Sequence, residues 1–185
     1  MIDVVKSDSE DRMQKSIKNL EHDFIMIRTG RATPALFDNI KVDYYGSQTP
    51  LNQTANISVP EARLVVIQPW DKSTLPLIEK AILASDLGFN PSNDGKVIRI
   101  NIPPLTEERR KELAKLARAN AENCRVAIRN VRRDANEELK KFQKSSEITE
   151  DDLKKGEADI QKLTDTYIGK VDSLLAEKEK EIMEV

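Results

Sequence analysis

The sequence predicts an α+β protein, an antiparallel three-helix bundle of the coiled-coil type with a small inserted β/α/β domain. Residues near both ends of the chain follow helical periodicity, and the stretch 106–144 contains neither Gly nor Pro. Residues between them instead show short alternating apolar runs separated by Gly, Pro and Asn, a pattern typical of strands and turns. We therefore expect one domain from residues 1–30 plus 105–185 and an inserted domain from residues 31–104.

The first predicted helix carries its apolar residues in a 4-3-4-3 spacing, which is the spacing of a bundle seam. These residues are Met13, Ile17, Leu20, Phe24 and Ile27. The helix is expected to end near Thr29, where Gly30 can adopt the left-handed conformation that closes helices and Pro34 prevents resumption.

The inserted domain is expected to contain several strands and one helix. The strand candidates are residues 40–45, 55–59, 64–68 and 96–102. Residues 46–50 and 90–95 are expected to be turn and loop. A helix capped by Asp71 or Ser73 should end at Gly88 and direct four residues to the core, namely Leu77, Ile78, Ala81 and Ile82.

The stretch 106–144 predicts one long helix with an apolar side and a basic side. The apolar side is expected to hold Leu113, Leu116, Ala117, Cys124, Ala127, Ile128, Val131, Ala135, Leu139 and Phe142. The basic side is expected to hold Lys111, Lys115, Arg118, Arg125, Arg129, Arg132, Arg133 and Lys140. A last helix should follow a turn at residues 145–148, with a capping box formed by Thr149 and Asp152. Three such amphipathic helices can bury their apolar sides only against one another.

Charge is concentrated on particular segments, although the whole chain has a formal net charge of only −2. Residues 106–144 contain twelve basic and seven acidic residues, a net charge of +5. Residues 145–185 contain six basic and twelve acidic residues, a net charge of −6, so part of the basic side can pair within the bundle. Because the guanidinium group of arginine suits phosphate, the remaining positive charge indicates a nucleic-acid backbone as partner rather than only a solvated helix surface.

The residues give little support for a catalytic site or a metal site. The only histidine is His22 and the only cysteine is Cys124, which cannot form an intramolecular disulfide or a standard zinc site. The sequence lacks the glycine-rich motifs of nucleotide-binding loops, and acids such as Asp151 at a helix start are explained by the helix dipole. We expect no enzyme activity, cofactor, metal ion or membrane span, and a cytoplasmic location without a signal peptide.

Five stretches together resemble the bacterial ribosome recycling factor family over essentially the whole chain. They are residues 27–34 (IRTGRATP), 43–46 (DYYG), 84–91 (ASDLGFNP), 103–110 (PPLTEERR) and 125–135 (RVAIRNVRRDA). The resemblance implies an L-shaped, monomeric protein whose hinge corresponds here to Gly30, Arg31, Pro103, Pro104 and Leu105. It also implies that Arg129, Arg132 and Arg133 contact ribosomal RNA, and the charge pattern adds Arg118 and Arg125 to that surface.

The resemblance further implies partners and an activity. The partners are the 70S ribosome, with its large-subunit ribosomal RNA, and elongation factor G, with the third initiation factor acting indirectly. The implied activity is release of mRNA and tRNA as the post-termination ribosome dissociates into subunits.

Three other interpretations remain open from the residues alone. A coiled-coil adaptor would bind its partner through apolar residues with little salt dependence, and a general RNA-binding protein would not require a ribosome. An unfamiliar enzyme site around Tyr44, Tyr45, Trp70 and Asp71 would be revealed by turnover of a small molecule.

Overall fold

The computed structural model describes residues 1–184 and divides into two compact units. The first unit comprises residues 1–29 and 107–184, and the second comprises residues 30–106. The helices are α1 (Ile2–Met26), α2 (Leu75–Ala84), α3 (Glu107–Lys144) and α4 (Glu150–Met183). Among the described residues, no helix is both long and apolar enough to cross a membrane.

The first unit is a bundle of α1, α3 and α4. Cys124 on α3 lies beside the Ser16 carbonyl of α1, while Arg12 pairs with Asp134 further along α3, so these two helices are antiparallel. Buried α3 residues follow a 3-4-3-4-3-4 spacing from Ala114 to Ala135. Because several of them are alanines, the helix backbones can approach closely along this seam. The fully enclosed residues of the bundle include Met13, Ile128, Leu139 and Val171.

Near the start of α3, the residues that are buried differ from those that were predicted. Leu116 was expected on the buried side, but 48% of it is exposed. Ala114 and Ala121 lie in the core instead. The apolar stripe in the sequence is wider than the contact seam, and the packing of two neighbouring helices selects which of its residues become buried.

The end of α1 also differs from expectation. The helix ends at Met26, and Ile27 has extended backbone angles, although its N–H still bonds to the Phe24 carbonyl at 3.1 Å. Gly30 does adopt a left-handed conformation, with φ of 75°, but it lies beyond the helix rather than closing it. The stretch Arg28–Arg31 therefore lies outside any helix or strand.

The connection between α3 and α4 follows the predicted turn and cap. The Thr149 hydroxyl accepts a hydrogen bond from the Asp152 N–H at 3.1 Å, and the Asp152 carboxylate accepts one from the Thr149 N–H at 3.0 Å. These reciprocal bonds confirm the capping box. The backbone bond from Thr149 is the largest cause of the lowered pKa of Asp152.

The second unit contains two antiparallel sheets and α2. A hairpin pairs β1 (Lys41–Tyr44) with β2 (Ser47–Pro50). A four-stranded sheet has the order β3-β4-β6-β5 and is formed by β3 (Ala55–Glu61), β4 (Leu64–Pro69), β5 (Pro91–Asn93) and β6 (Ile98–Asn101). Fifteen buried apolar residues form one core, in which Ile67, Ile78, Ile98 and Ile100 are fully enclosed.

Backbone pairing corrects three local predictions in this unit. Residues 47–50, expected as a turn, form β2, and the turn is reduced to Tyr45 and Gly46, both with positive φ. Pro91–Asn93, expected as loop, forms the edge strand β5 beside β6. The helix α2 ends at Ala84, before Gly88, and Asp71 caps the short turn that precedes it. Sequence pattern alone does not reveal a partner strand for such short polar segments.

Candidate nucleic-acid interface

The helix α3 presents the five arginines predicted as an RNA-binding surface. Its buried seam fixes its rotation about its own axis, and the arginines lie outside that seam. Arg118, Arg125 and Arg132 are seven residues apart, so they lie along nearly one line of the helix surface. Arg129 and Arg133 lie one turn from Arg125 and Arg129, respectively. All five arginines therefore lie on α3 outside its buried seam, but the surroundings of their guanidinium groups differ.

Arg118 and Arg125 are paired with acids on α4. The Nε atom of Arg118 donates to Glu179 at 2.6 Å. Arg125 donates to Asp172 through both Nε and Nη2, at 3.0 and 2.7 Å, and through Nη1 to Glu122 at 3.0 Å. Only 19% of the Arg125 side chain is exposed, and its bond to Asp172 is the largest cause of its raised pKa. Both arginines thus share their charge with carboxylates.

Arg129 has one acidic partner, and it belongs to the same helix. Its Nη1 donates to Glu122 at 3.3 Å, the long end of the hydrogen-bond range, and 40% of its side chain is exposed. Glu122 is shared with Arg125, whose bond is the largest cause of the lowered pKa of Glu122. Arg129 therefore keeps more of its donor capacity for an external anion than Arg125 does.

Arg132 and Arg133 form no ion pair within residues 1–184. Arg132 donates through Nη1 to the neutral amide oxygen of Gln161 on α4, at 3.2 Å. Arg133 is exposed to solvent and has no side-chain partner in the described part of the chain. Together with Arg129, these residues carry positive charge that no acid on another helix balances, and we call the three the arginine cluster.

The sequence alone did not identify the α4 residues that determine which arginines are paired with acids. Pairing of the basic side with the acidic last helix was expected in general, but Asp172, Glu179 and Gln161 were not singled out. Their spacing carried a usable signal, because Asp172 and Glu179 are seven residues apart, as Arg118 and Arg125 are. Without the antiparallel register between α3 and α4, that signal does not assign partners.

The surroundings of the other candidate reactive side chains do not indicate a catalytic role. The Cys124 thiol is partly buried, which raises its pKa to about 11, so it is a poor nucleophile at neutral pH. His22 lies exposed on α1. Tyr45 donates a hydrogen bond to Asp71, which also accepts from Ser73, so this carboxylate stabilises a turn. Within residues 1–184, no group of three or more His, Cys, Asp and Glu residues could hold a metal ion.

Comparison with known proteins identifies the family. Ribosome-recycling factors from Syntrophomonas wolfei and Nitratidesulfovibrio vulgaris are 62% and 60% identical to this chain, covering 100% and 96% of both sequences, respectively. A solution structure of a ribosome recycling factor is 44% identical, covers 100% of this chain and 98% of its own, and has a TM-score of 0.80.

A second solved structure that is similar to this chain comprises models for the T. thermophilus ribosome recycling factor and the E. coli elongation factor G bound to the E. coli post-termination complex. It is 51% identical, covers 99% of each chain and has a TM-score of 0.67. The family model for ribosome recycling factors matches residues 5–183. The resemblance of the sequence motifs is thereby confirmed, and the chain belongs to the ribosome recycling factor family.

Proposed function

We propose that the protein binds the post-termination 70S ribosome by placing the arginine cluster against phosphates of large-subunit ribosomal RNA. The observation that carries this proposal is the lack of a cross-helix acid at Arg129, Arg132 and Arg133. Planar guanidinium groups bind phosphate oxygens through paired hydrogen bonds. A helix surface lined with arginines offers no aromatic side chains on which bases could stack. In this proposal, the protein therefore recognises the backbone and the shape of the RNA.

Arg118 and Arg125 belong to the same proposed surface with a smaller contribution. A phosphate that approaches either residue competes with a carboxylate that already occupies its donors. Exposed ion pairs are worth about 0.2–1 kcal/mol, so this competition weakens a phosphate contact without abolishing it. The proposed surface is therefore graded along α3, with its strongest part at residues 129–133.

The proposed activity is separation of ribosomal subunits together with elongation factor G, which hydrolyses GTP. A relative in this family has been described with that factor on a post-termination complex. In this proposal the protein acts in the cytoplasm as a monomer without a cofactor, and itself makes or breaks no covalent bond. Release of mRNA and tRNA accompanies separation, and the third initiation factor then keeps the subunits apart.

We also propose that residues 1–30 plus 105–185 and residues 31–104 act as two domains that move about the paired linkers. Two hydrogen bonds support this location of the hinge. The Ala32 N–H donates to the Ala62 carbonyl and the Ile102 N–H donates to the Arg63 carbonyl, both at 2.8 Å. Since both linkers are fastened to the same β3–β4 turn, motion is confined to Gly30 and Arg31 and to Pro103, Pro104 and Leu105.

The binding proposal is tested by sedimenting the protein with vacant and tRNA-bound ribosomes over a range of salt concentrations. Arg132→Ala should weaken binding and lower the salt slope by about 0.7–0.9 for the lost phosphate contact. Arg63→Ala removes the same charge from the other unit and should bind as the unsubstituted protein does. Unchanged affinity in single and combined Ala variants of Arg129, Arg132 and Arg133 would contradict the assignment. Equal affinity for unrelated duplex RNA would instead indicate a general RNA-binding protein.

The hinge proposal requires a separate measurement, the rate of subunit separation with elongation factor G and GTP. Gly30→Pro removes the positive φ of this residue, since proline is fixed near −65°. We expect ribosome binding to persist while subunit separation slows. Gly95→Ala also replaces a positive-φ glycine, but at a turn inside the second unit, and serves as the control for strain. Separation at the normal rate by the Gly30 variant would exclude this hinge.

A further inference from the structure

Two sets of charged residues on α3 and α4 repeat at the same interval. Arg118, Arg125 and Arg132 are seven residues apart on α3. Glu179, Asp172 and Asp165 are seven residues apart on the antiparallel helix α4. Equal intervals on antiparallel helices make three pairs of facing positions, each with one arginine and one acid.

Two of these three pairs form ion pairs and the third does not. Arg118 pairs with Glu179 at 2.6 Å and Arg125 pairs with Asp172 at 2.7 Å. In the same register, Arg132 faces Asp165. An aspartate side chain is long enough to pair with an arginine across these two helices, because Asp172 pairs with Arg125 in this way. Among the described residues, however, Arg132 and Asp165 share no ion pair. The difference must come from a neighbouring group.

Gln161 lies between the third arginine and its facing acid. Its amide oxygen accepts from Arg132 Nη1 at 3.2 Å, and its amide nitrogen donates to Asp165 at 2.8 Å. A carboxamide has one acceptor end and one donor end, so a single side chain satisfies both charged neighbours. One oxygen of the Asp165 carboxylate, Oδ1, accepts from a neutral donor, and Arg132 is oriented by a neutral acceptor.

We propose that Gln161 is a positioning residue that keeps Arg132 out of an ion pair with Asp165 and so leaves it available to an RNA phosphate. The inference rests on the proposed function, in which Arg132 contacts ribosomal RNA. A phosphate that meets Arg132 displaces a weak contact to a neutral amide. At Arg125 the same phosphate must compete with a carboxylate held by two hydrogen bonds. The acceptors on α4 thereby determine how strongly the arginines that face them, Arg118, Arg125 and Arg132, bind RNA.

The test compares ribosome binding by Gln161→Ala with binding by the double variant Gln161→Ala/Asp165→Asn. Loss of the amide lets Arg132 pair with Asp165, and affinity should fall about two- to fivefold, the equivalent of breaking one exposed ion pair. The loss of affinity should be largest at low salt, because added salt screens the ion pair between Arg132 and Asp165 that competes with the phosphate. Removing the competing charge in the double variant should restore affinity.

Three further measurements separate the possible failures. Thr166→Ala is the control on α4, because the exposed Thr166 hydroxyl donates to the Lys162 carbonyl of its own helix, and this variant should bind normally. Normal binding by Gln161→Ala, or no recovery in the double variant, would overturn the positioning role, provided that Arg132→Ala weakens binding. If Arg132→Ala itself binds normally, the proposed contact between Arg132 and ribosomal RNA fails instead. Thermal unfolding of each variant shows whether a loss of affinity reflects a loss of fold.

Discussion

The two compact units use their charged side chains differently. In the helical unit, several ion pairs connect residues far apart in sequence, as between Arg12 and Asp134 or between Lys6 and Asp159. In the sheet-containing unit, Asp71 and Asp94 bind groups close by in sequence. Asp71 accepts from Ser73, and Asp94 accepts from the N–H groups of Lys96 and Val97 and from Arg99. Charge in the first unit therefore reports on helix register, whereas charge in the second stabilises turns.

The same contrast extends to the apolar cores. The helical unit buries a narrow seam with regular spacing, and small residues such as Ala117 and Ala121 are fully enclosed in it. The second unit buries one compact core dominated by isoleucine, valine and leucine. A regular seam leaves the opposite side of a helix free over its whole length, which is what a long RNA-binding surface requires. A sheet with one α-helix offers no surface of that length.

The largest expected effects come from truncating one fully buried isoleucine in each unit. Ile100→Ala in the second unit and Ile128→Ala in the bundle should each lower the free energy of unfolding by about 2–5 kcal/mol. Trp70, the only tryptophan, reports on the second unit by fluorescence, and helical circular dichroism reports mainly on the bundle. Ile100→Ala should shift mainly the fluorescence transition and Ile128→Ala mainly the dichroism transition. Equal shifts of both signals in both variants would show that the units unfold together.

Removing the α4 cap should have a smaller effect that is confined to the bundle. Thr149→Ala deletes the hydroxyl that accepts the Asp152 N–H and should lower the free energy of unfolding by about 0.5–2 kcal/mol. Thr166→Ala, in the interior of the same helix, should change it by less than about 0.5 kcal/mol. Chemical denaturation followed by circular dichroism measures both. A loss no larger at Thr149 than at Thr166 would mean that the capping box contributes nothing.

Two glycines of α4 test how tightly the bundle seam is packed. Gly169 has open space around an added Cβ, so Gly169→Ala should raise the free energy of unfolding by about 1 kcal/mol. At Gly156 an added Cβ would lie 3.0 Å from Leu139 Cδ1 in the core. Gly156→Ala should therefore stabilise less than Gly169→Ala, or destabilise. Equal stabilisation by both substitutions, measured by denaturation, would show that Leu139 moves aside freely.

The smallest expected effect is a pH dependence specific to the second unit. Bonds from the backbone N–H groups of Val97 and Lys96, and then from Arg99, lower the pKa of Asp94 well below its ordinary value of 3.8. A lowered folded-state pKa stabilises the fold above the unfolded-state pKa, and this contribution is lost as pH falls through the folded-state pKa. Asp94→Asn should reduce the Trp70-monitored melting temperature at about pH 7, with a smaller reduction near pH 3. A reduction independent of pH would exclude a role for the Asp94 charge.

Sequence patterns predicted the regular elements better than their ends and partners. The capping box at Thr149 and the strands around Ile67 and Ile100 needed only local information, namely a cap motif and alternating apolar residues. The strand at Ser47–Pro50 was taken for a turn because its residues are polar, and only pairing with β1 makes it a strand. Leu116 was placed in the seam because it is apolar, although neighbouring helices bury Ala114 instead.

The sequence by itself determined the three amphipathic helices, the concentration of arginine on one of them and the family to which the chain belongs. Periodicity, composition and motifs are properties of the chain order and require no knowledge of neighbours. The tertiary structure decided which arginines are paired with acids. That division depends on the antiparallel register of α3 and α4, because hydrogen bonds act over only about 3 Å. A seven-residue repeat on each helix allows three equivalent ion pairs; Arg118 and Arg125 form two of them, whereas Arg132 and Asp165 both bond to Gln161.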